Sequence, residues 1–284
     1  MKSGADYGSR RIKVIQRGQT SLVYARSVNP CSKRRIFHEV LPCLFEAGDF
    51  SYDQLFDGLS FMGINYKKFV EIFTTTTRAI YGLDTSKTYF DCTNFYFEID
   101  REDDFRRKGP NKENRKDPII GLGLLLDNNQ IPIGMEMFTG NESEKPVLRE
   151  IIESLKTRSN IKGRTIHVAD KGLNCAENIA SAKKSGDGYL FSKSVKTLPE
   201  KEKEWVLLTS DYKKVTDTDG KVLYYYKSCV DKFPYTIVHE GCKKTVKFIE
   251  KRIVTYNPDL AAKKRHEINK LVEKAKFAIS NKKE

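Results

Sequence analysis

The chain has 284 residues, 39% of them hydrophobic, and its 51 Lys and Arg against 38 Asp and Glu give a formal net charge of +13. That length suits one main domain with an elaboration; the charge favours an anionic partner, nucleic acid first, over the plain alternative of a highly soluble cytosolic protein. No apolar run approaches the roughly 18 residues that span a bilayer and no apolar leader core lies in Met1 to Gln19, which speaks against a membrane protein and for a cytoplasmic one, while the dispersed cysteines and histidines signal neither a disulfide scaffold nor a zinc site.

From Ser32 to about Ile80 apolar residues recur at helical spacing (Ile36, Val40, Leu41, Leu44, then Leu55, Leu59, Phe69, Ile72), with Gly58 and Gly63 as interruptions, so 1–86 reads as a helical N-terminal region. At Thr88 the period changes to two. Tyr89, Asp91 and Thr93 then share one face of an extended segment and Phe90 and Cys92 the other, which predicts a strand carrying a carboxylate. A charged stretch from Asp100 to Asp117, holding Gly109-Pro110, reads as a loop. Two apolar runs, Ile119 to Leu126 and Ile131 to Phe138, flank the turn residues Asp127 to Gln130 and predict a hairpin.

A polar-x-x-Glu start at Asn141 to Glu144 opens a helix whose stripe is Val147, Leu148, Ile151, Ile152 and Leu155. Thr165 to Ala169 then reads as a short buried strand that delivers Asp170 at its C-terminal end. A helix beginning near Asn174 and closed by Gly186, and a strand over Gly188 to Ser192, complete this part. The order strand, strand, strand, helix, strand, helix, strand is that of a ribonuclease H-like α/β fold with a mixed sheet and flanking helices, placed at 87–198.

Beyond it, 199–256 reads as a β-rich insertion, with strands at Trp205 to Leu208, Val222 to Tyr226, Tyr235 to His239 and Val246 to Thr255 and a turn at Thr216 to Gly220. A charged helix from Pro258 to about Ala278 fills 257–284.

Asp91 and Asp170 are the candidate catalytic and metal-binding residues. Phosphoryl transfer with divalent ions needs carboxylates that converge from different elements, because two ions roughly 4 Å apart clamp the attacking and leaving oxygens. Buried among apolar neighbours, such carboxylates are costly without a cation or strong hydrogen bonds. The bland reading, an aspartate that caps a turn at a strand end, stays open on pattern alone. The loop residues Arg106, Arg107, Lys108, Lys112, Arg115 and Lys116 form the candidate DNA-binding set, since point charges beside a metal site neutralise phosphates; a solvated surface loop is the alternative.

Several segments resemble the DDE-class bacterial insertion-sequence transposases of the "insertion sequence four" superfamily. Tyr89-Phe90-Asp91-Cys92-Thr93-Asn94-Phe95-Tyr96-Phe97-Glu98 is similar to the first catalytic block. Lys108-Gly109-Pro110-Asn111-Lys112 and the run Glu136 to Glu144 resemble the stretch that follows, and Val168-Ala169-Asp170-Lys171-Gly172 resembles the second block. Arg26 to Lys33 is similar to a segment that precedes the core. The resemblance implies Mg²⁺, with Mn²⁺ as a substitute, at Asp91 and Asp170. It further implies insertion-sequence ends and target DNA as partners, a homo-oligomer, and cleavage followed by joining of DNA.

One departure stands out. The third ligand of that family is a glutamate after the β-rich insertion, in a helix with tyrosine, arginine and lysine at fixed offsets, and no such pattern follows in this sequence. Glu267 and Glu273 read as solvated helix charges. The expectation is therefore a truncated and inactive form. A non-catalytic DNA-binding remnant that inhibits a full-length transposase is the alternative, and a nuclease that recruits Glu98 or Glu136 as third ligand is a further one.

Overall fold

The protein is described by a computed structural model covering residues 18–44, 49–110, 115–159, 164–239 and 241–280; Lys112 therefore lies outside the described residues. Contacts divide the chain into two compact units, the described parts of Met1–Asp84 with Leu126–Met135, and of Thr85–Leu125 with Glu136–Glu284.

The first unit is helical. Helix α1 covers 18–28, three short turns run from Lys33 to Cys43, and α2 (Tyr52–Ile64) and α3 (Tyr66–Tyr81) follow. Ser51 caps α2 in a capping box, its hydroxyl accepting from Gln54 N–H while the Gln54 side chain accepts from Ser51 N–H. Leu22, Ala25, Ile36, Val40, Leu41 and Leu55 make the core. Gly58 and Gly63 do not interrupt α2; the break falls at Asn65, outside the helical region at φ −106° and ψ 18°. The hairpin turn belongs to this unit. Buried Asp127 Oδ1 accepts from the Asn129 and Ile131 N–H groups at 2.9 and 2.8 Å, and its Oδ2 accepts from Asp84 N–H.

The second unit holds most of a five-stranded sheet in the order β3-β2-β1-β4-β5, with β1 Lys87–Tyr96, β2 Ile119–Leu126, β3 Pro132–Thr139, β4 Ile166–Ala169 and β5 Gly188–Phe191, of which Leu126 and residues 132–135 count with the first unit. The pairs β1–β4 and β4–β5 are parallel, as the intervening helices require. Those helices are α4 (Glu144–Ser159), which buries Val147, Leu148, Ile151 and Leu155, and α5 (Ala176–Lys184), closed by Gly186 at φ 72°. This is a ribonuclease H-like α/β fold, and the strand order itself carries the assignment. Gly140 is dictated by close approach: a Cβ there would overlap the backbone oxygens of Arg107 and Ile119.

After the core come α6 (Glu200–Leu207), β6 (Lys213–Thr216), β7 (Val222–His239), β8 (Cys242–Tyr256) and α7 (Pro258–Ser280). Three expectations are corrected here. Trp205 to Leu208 is not a strand: Pro199 followed by Glu200 and Glu202 in the first turn starts a helix, and this outweighs the β-propensity of Trp205 and Val206. Val222 to Tyr226 and Tyr235 to His239 are parts of one continuous strand, paired with β8 from Tyr225↔Tyr256 to His239↔Cys242. Pro234 lies inside it without harm, since β6 pairs only with Val222 to Tyr226 and leaves that edge of β7 open. Lys213–Thr216 adds a strand that its polar composition concealed.

Lys227 is buried at the base of this region, its ammonium donating to the Trp205 and Leu208 carbonyls between the Trp205 and Tyr212 rings. No helix among the described residues is long and apolar enough to cross a membrane.

Candidate metal and nucleic-acid site

Strand β1 alternates cleanly: Thr88, Phe90 and Cys92 are buried, whereas Asp91, Thr93 and Phe95 are exposed. Its parallel partner β4 buries His167 and Ala169. The paired register ends at Phe90↔Ala169, so the next residues are Asp91, still on β1, and Asp170, just past the end of β4. Adjacent strands lie about 4.8 Å apart, and register partners in a parallel pair project from the same face. The two aspartates thus neighbour each other where β1 continues past the C-terminal end of β4.

Both aspartates are exposed, not buried as the apolar neighbours suggested. Buried alternation on the opposite face turns them to solvent, so no desolvation cost forces a cation there. Backbone donors hold them instead: Cys92 N–H donates to Asp91 Oδ1 at 2.9 Å and Gly172 N–H to Asp170 Oδ1 at 2.8 Å. The Asp170 contact is the Asx turn of a strand-end aspartate, and it also aims the carboxylate.

Three residues earlier on the same strands is a buried polar cluster that sequence reasoning missed. Thr88 Oγ1 and His167 Nδ1 are 2.9 Å apart, His167 Nε2 meets Asp187 Oδ2 at 3.0 Å, and Lys156 forms an ion pair with the same carboxylate. Thr165 N–H also donates to Asp187 Oδ1. Burial pushes the His167 imidazole below its ordinary value, outweighing the Asp187 contact that raises it. Burial raises Asp187, but hydrogen bonds from Lys156, His167 and Thr165 prevail and hold it below the usual carboxylate value. Thr88 and His167 are direct register partners, three positions before the two aspartates, and only the pairing of the strands brings them together.

The basic loop is locally compensated. Arg106 pairs with Asp103 at 2.5 Å and stacks over Phe97, while Arg107 lies 3.7 Å from Asp104. Lys108 N–H donates to Glu102, and Arg115 pairs with Asp117 at 2.8 Å over the Tyr96 ring. Lys116 is exposed. Residues 98–117 hold seven acidic and seven basic side chains, so the segment is neutral as a whole.

The other acids stand elsewhere. Glu98 is 3.8 Å from Arg115, Glu136 is half-buried on β3, two strands or about 10 Å from β1, and Glu267 pairs with Lys264 on α7 at 2.6 Å. Glu273 is exposed on α7. Among the described residues no group of three or more His, Cys, Asp and Glu could hold a metal ion.

No protein-family model matches the chain, and no curated protein matches it. Among solved structures it is similar to a piggyBac transposase synaptic complex with hairpin DNA, at 13% identity and a TM-score of 0.40, covering 76% of this chain and 48% of that one. A Mos1 transposase paired-end complex with left transposon end gives 12% identity, a TM-score of 0.28, and coverage of 43% and 39%. A pre-cleavage Mos1 transpososome gives 11%, 0.28, and coverage of 61% and 58%. The chain thus spans between 39% and 58% of the length of these proteins. Likenesses at this level leave the fold assignment resting on the strand order.

Proposed function

We propose that this chain acts on DNA by divalent-metal-dependent phosphoryl transfer of the DDE transposase kind, with Asp91 and Asp170 as its first two metal ligands. The observation that carries this reading is the β1–β4 register, which ends one step short of the two aspartates on neighbouring strands. The donor set fits Mg²⁺, which takes one or two carboxylates from protein and completes its shell with water and substrate phosphate. A bound ion would stabilise the charge that develops on the attacking and leaving oxygens.

The chain's own groups have separable tasks. The Cys92 and Gly172 N–H groups fix the carboxylate orientations, which limits the reorganisation needed at the reacting phosphate. Exposure of both aspartates leaves room for a duplex to reach them. Lys108, Lys116 and the arginines Arg106, Arg107 and Arg115 would meet phosphates, with Lys112 as a further member of the set, and the arginines would do so by exchanging their local acids. The blocks around Asp91 and Asp170 support membership of the "insertion sequence four" superfamily, action in the cytoplasm on insertion-sequence ends and target DNA, and assembly of more than one copy.

The second reading is a DNA-binding chain that does not catalyse and inhibits a full-length relative. It is supported by the positions of the remaining acids, with Glu98 and Glu267 in ion pairs of their own.

A strand-cleavage assay with Mg²⁺ or Mn²⁺, on DNA carrying the ends of its element, separates the two. Under the first reading cleavage depends on the metal, and Asp91→Asn or Asp170→Asn slows it by roughly a thousandfold. Metal-independent binding with no cleavage would establish the second. If Asp91 and Asp170 alone serve two ions, coordinated joining of ends to a target should be slower than nicking by a similar factor.

A further inference from the structure

Strands β7 and β8 form a two-stranded ribbon whose two faces differ in kind. One face carries Cys229, Phe233, Tyr235, Phe248, Glu250 and Arg252, all partly buried. There Glu250 accepts from the Tyr189 and Tyr235 hydroxyls and pairs with Arg252, which also pairs with Glu202, and the exposed Asp231 and Lys244 of the same face bring one charge of each sign. The opposite face is exposed along its whole length. Its charged residues are Lys232, Lys243, Lys247 and Lys251, and it holds no acid from Ser228 to Val238 or from Lys243 to Thr255.

Cross-strand register explains why these lysines stay unneutralised. Each faces an uncharged residue: Lys232 opposite Ile249, Lys243 opposite Val238, Lys247 opposite Pro234 and Lys251 opposite Val230. An antiparallel pair normally sets opposite charges across from one another, whereas here every ladder partner is apolar. Lys232, Lys247 and Lys251 are diagonal neighbours on successive same-face rows, about 7 Å apart along the ribbon. Like charges so close repel one another, and an anion laid along them relieves that repulsion. Val230, Val238, Ile249 and Ile253, each more than half exposed, interleave with them.

We infer that this outer face docks on duplex DNA, with the ribbon entering the major groove and the four lysines reaching the flanking phosphates. The major groove admits a two-stranded ribbon, and alternation of lysine with small apolar side chains suits a surface that meets phosphates at its rims and base edges or thymine methyls between them. The loop at 98–117 is neutral as a whole, so the excess positive charge of the chain lies outside it, and the ribbon's outer face carries four of those lysines without an acid beside them on that face. This inference rests on the reading of the protein as one that acts on DNA, but it assigns binding to a surface distinct from the two aspartates.

The test is binding of a fluorescently labelled duplex to the full chain in EDTA over a range of salt, which keeps it independent of any metal chemistry. Changing Lys232, Lys243, Lys247 and Lys251 together to Glu should weaken binding at least tenfold, and the slope of log affinity against log salt should fall by about three to four. Changing the same residues to Arg should preserve both. Changing Lys263, Lys264, Lys270 and Lys274 of α7 to Glu, the same change in charge, should have the smaller effect. Lysine acetylation of the wild-type chain, mapped by mass spectrometry, should show DNA protecting the four ribbon lysines, a readout that needs no variant to fold. Protection confined to other lysines, or equal losses from the ribbon and α7 variants, would overturn the inference. So would ribbon-dependent binding to phosphatidylserine vesicles without binding to the duplex. If Asp91→Asn abolishes cleavage and leaves EDTA binding unchanged, the two proposals stand separately; if wild type never cleaves and the ribbon still binds, only the catalytic one fails.

Discussion

Asp187 gathers three polar contacts at one carboxylate, since it accepts from Lys156, His167 and the Thr165 amide while almost fully buried. Replacing it by Ala leaves a buried imidazole and an amide without their acceptor, and should cost about 3 kcal/mol or more, read as a lowered denaturant midpoint. The pH dependence follows from the direction of the shifts. His167 is held below its ordinary 6.5 in the folded state, so the unfolded chain takes up a proton first as pH falls. The corresponding stability is present above pH 6.5 and is lost as pH falls through the folded value. Asp187 is also held below its ordinary 3.8, so its contribution is present above that pH and disappears only in stronger acid. Melting temperature should therefore begin to drop just below pH 6.5, and His167→Gln should flatten that first decline. A decline of equal size in the variant would show that another group titrates there.

At the scale of elements, chain pattern revealed what local chemistry decides and concealed what pairing decides. Period-two alternation exposed β1, and the short apolar run ending in Asp170 exposed β4, so both aspartates were legible as strand carboxylates. Their neighbouring positions were not, because register is a property of two strands and neither contains it. The same ignorance hid Thr88 and His167, which the register pairs directly. Helix α6 was misread because Trp205 and Val206 favour strands, although Pro199, Glu200 and Glu202 favoured a helix start. Strand β7 reads as two segments in the sequence, Val222 to Tyr226 and Tyr235 to His239, whereas pairing with β8 carries it without a break through the polar residues between them and through Pro234.

Two predictions belong to this scale. Gly140→Ala pushes a methyl into the Arg107 and Ile119 backbone oxygens and should destabilise by about 2 kcal/mol, measured by denaturant unfolding; a neutral result would mean that the loop base shifts without cost. Helix α7, with no buried residue across Pro258–Ser280, should be the first site of limited trypsin cleavage and show the least amide-exchange protection of any long helix in the isolated chain. Early cleavage within α4 instead would contradict this.

For the whole molecule, charge is distributed so that the loop beside β1 is neutral and the ribbon's outer face is purely cationic. Composition alone gave the sum and not its placement, which depends on local ion pairs such as Arg106 with Asp103 and Arg115 with Asp117. The aspartates, the ribbon and the loop all lie in the second unit, and the ribbon's inner face is tied to β5 through Tyr189 and Glu250. The proposed chemistry centres on Asp91 and Asp170, and the proposed DNA contacts lie on the ribbon and the loop of the same unit. The most direct measurement is anomalous diffraction at the manganese edge from crystals of the chain with duplex DNA and Mn²⁺. The account predicts a peak at bonding distance, about 2.2 Å, from an oxygen of Asp91 and an oxygen of Asp170, and its loss in Asp91→Asn with Asp170→Asn. Bound DNA with manganese at other residues, or a peak that survives the double substitution, would contradict it.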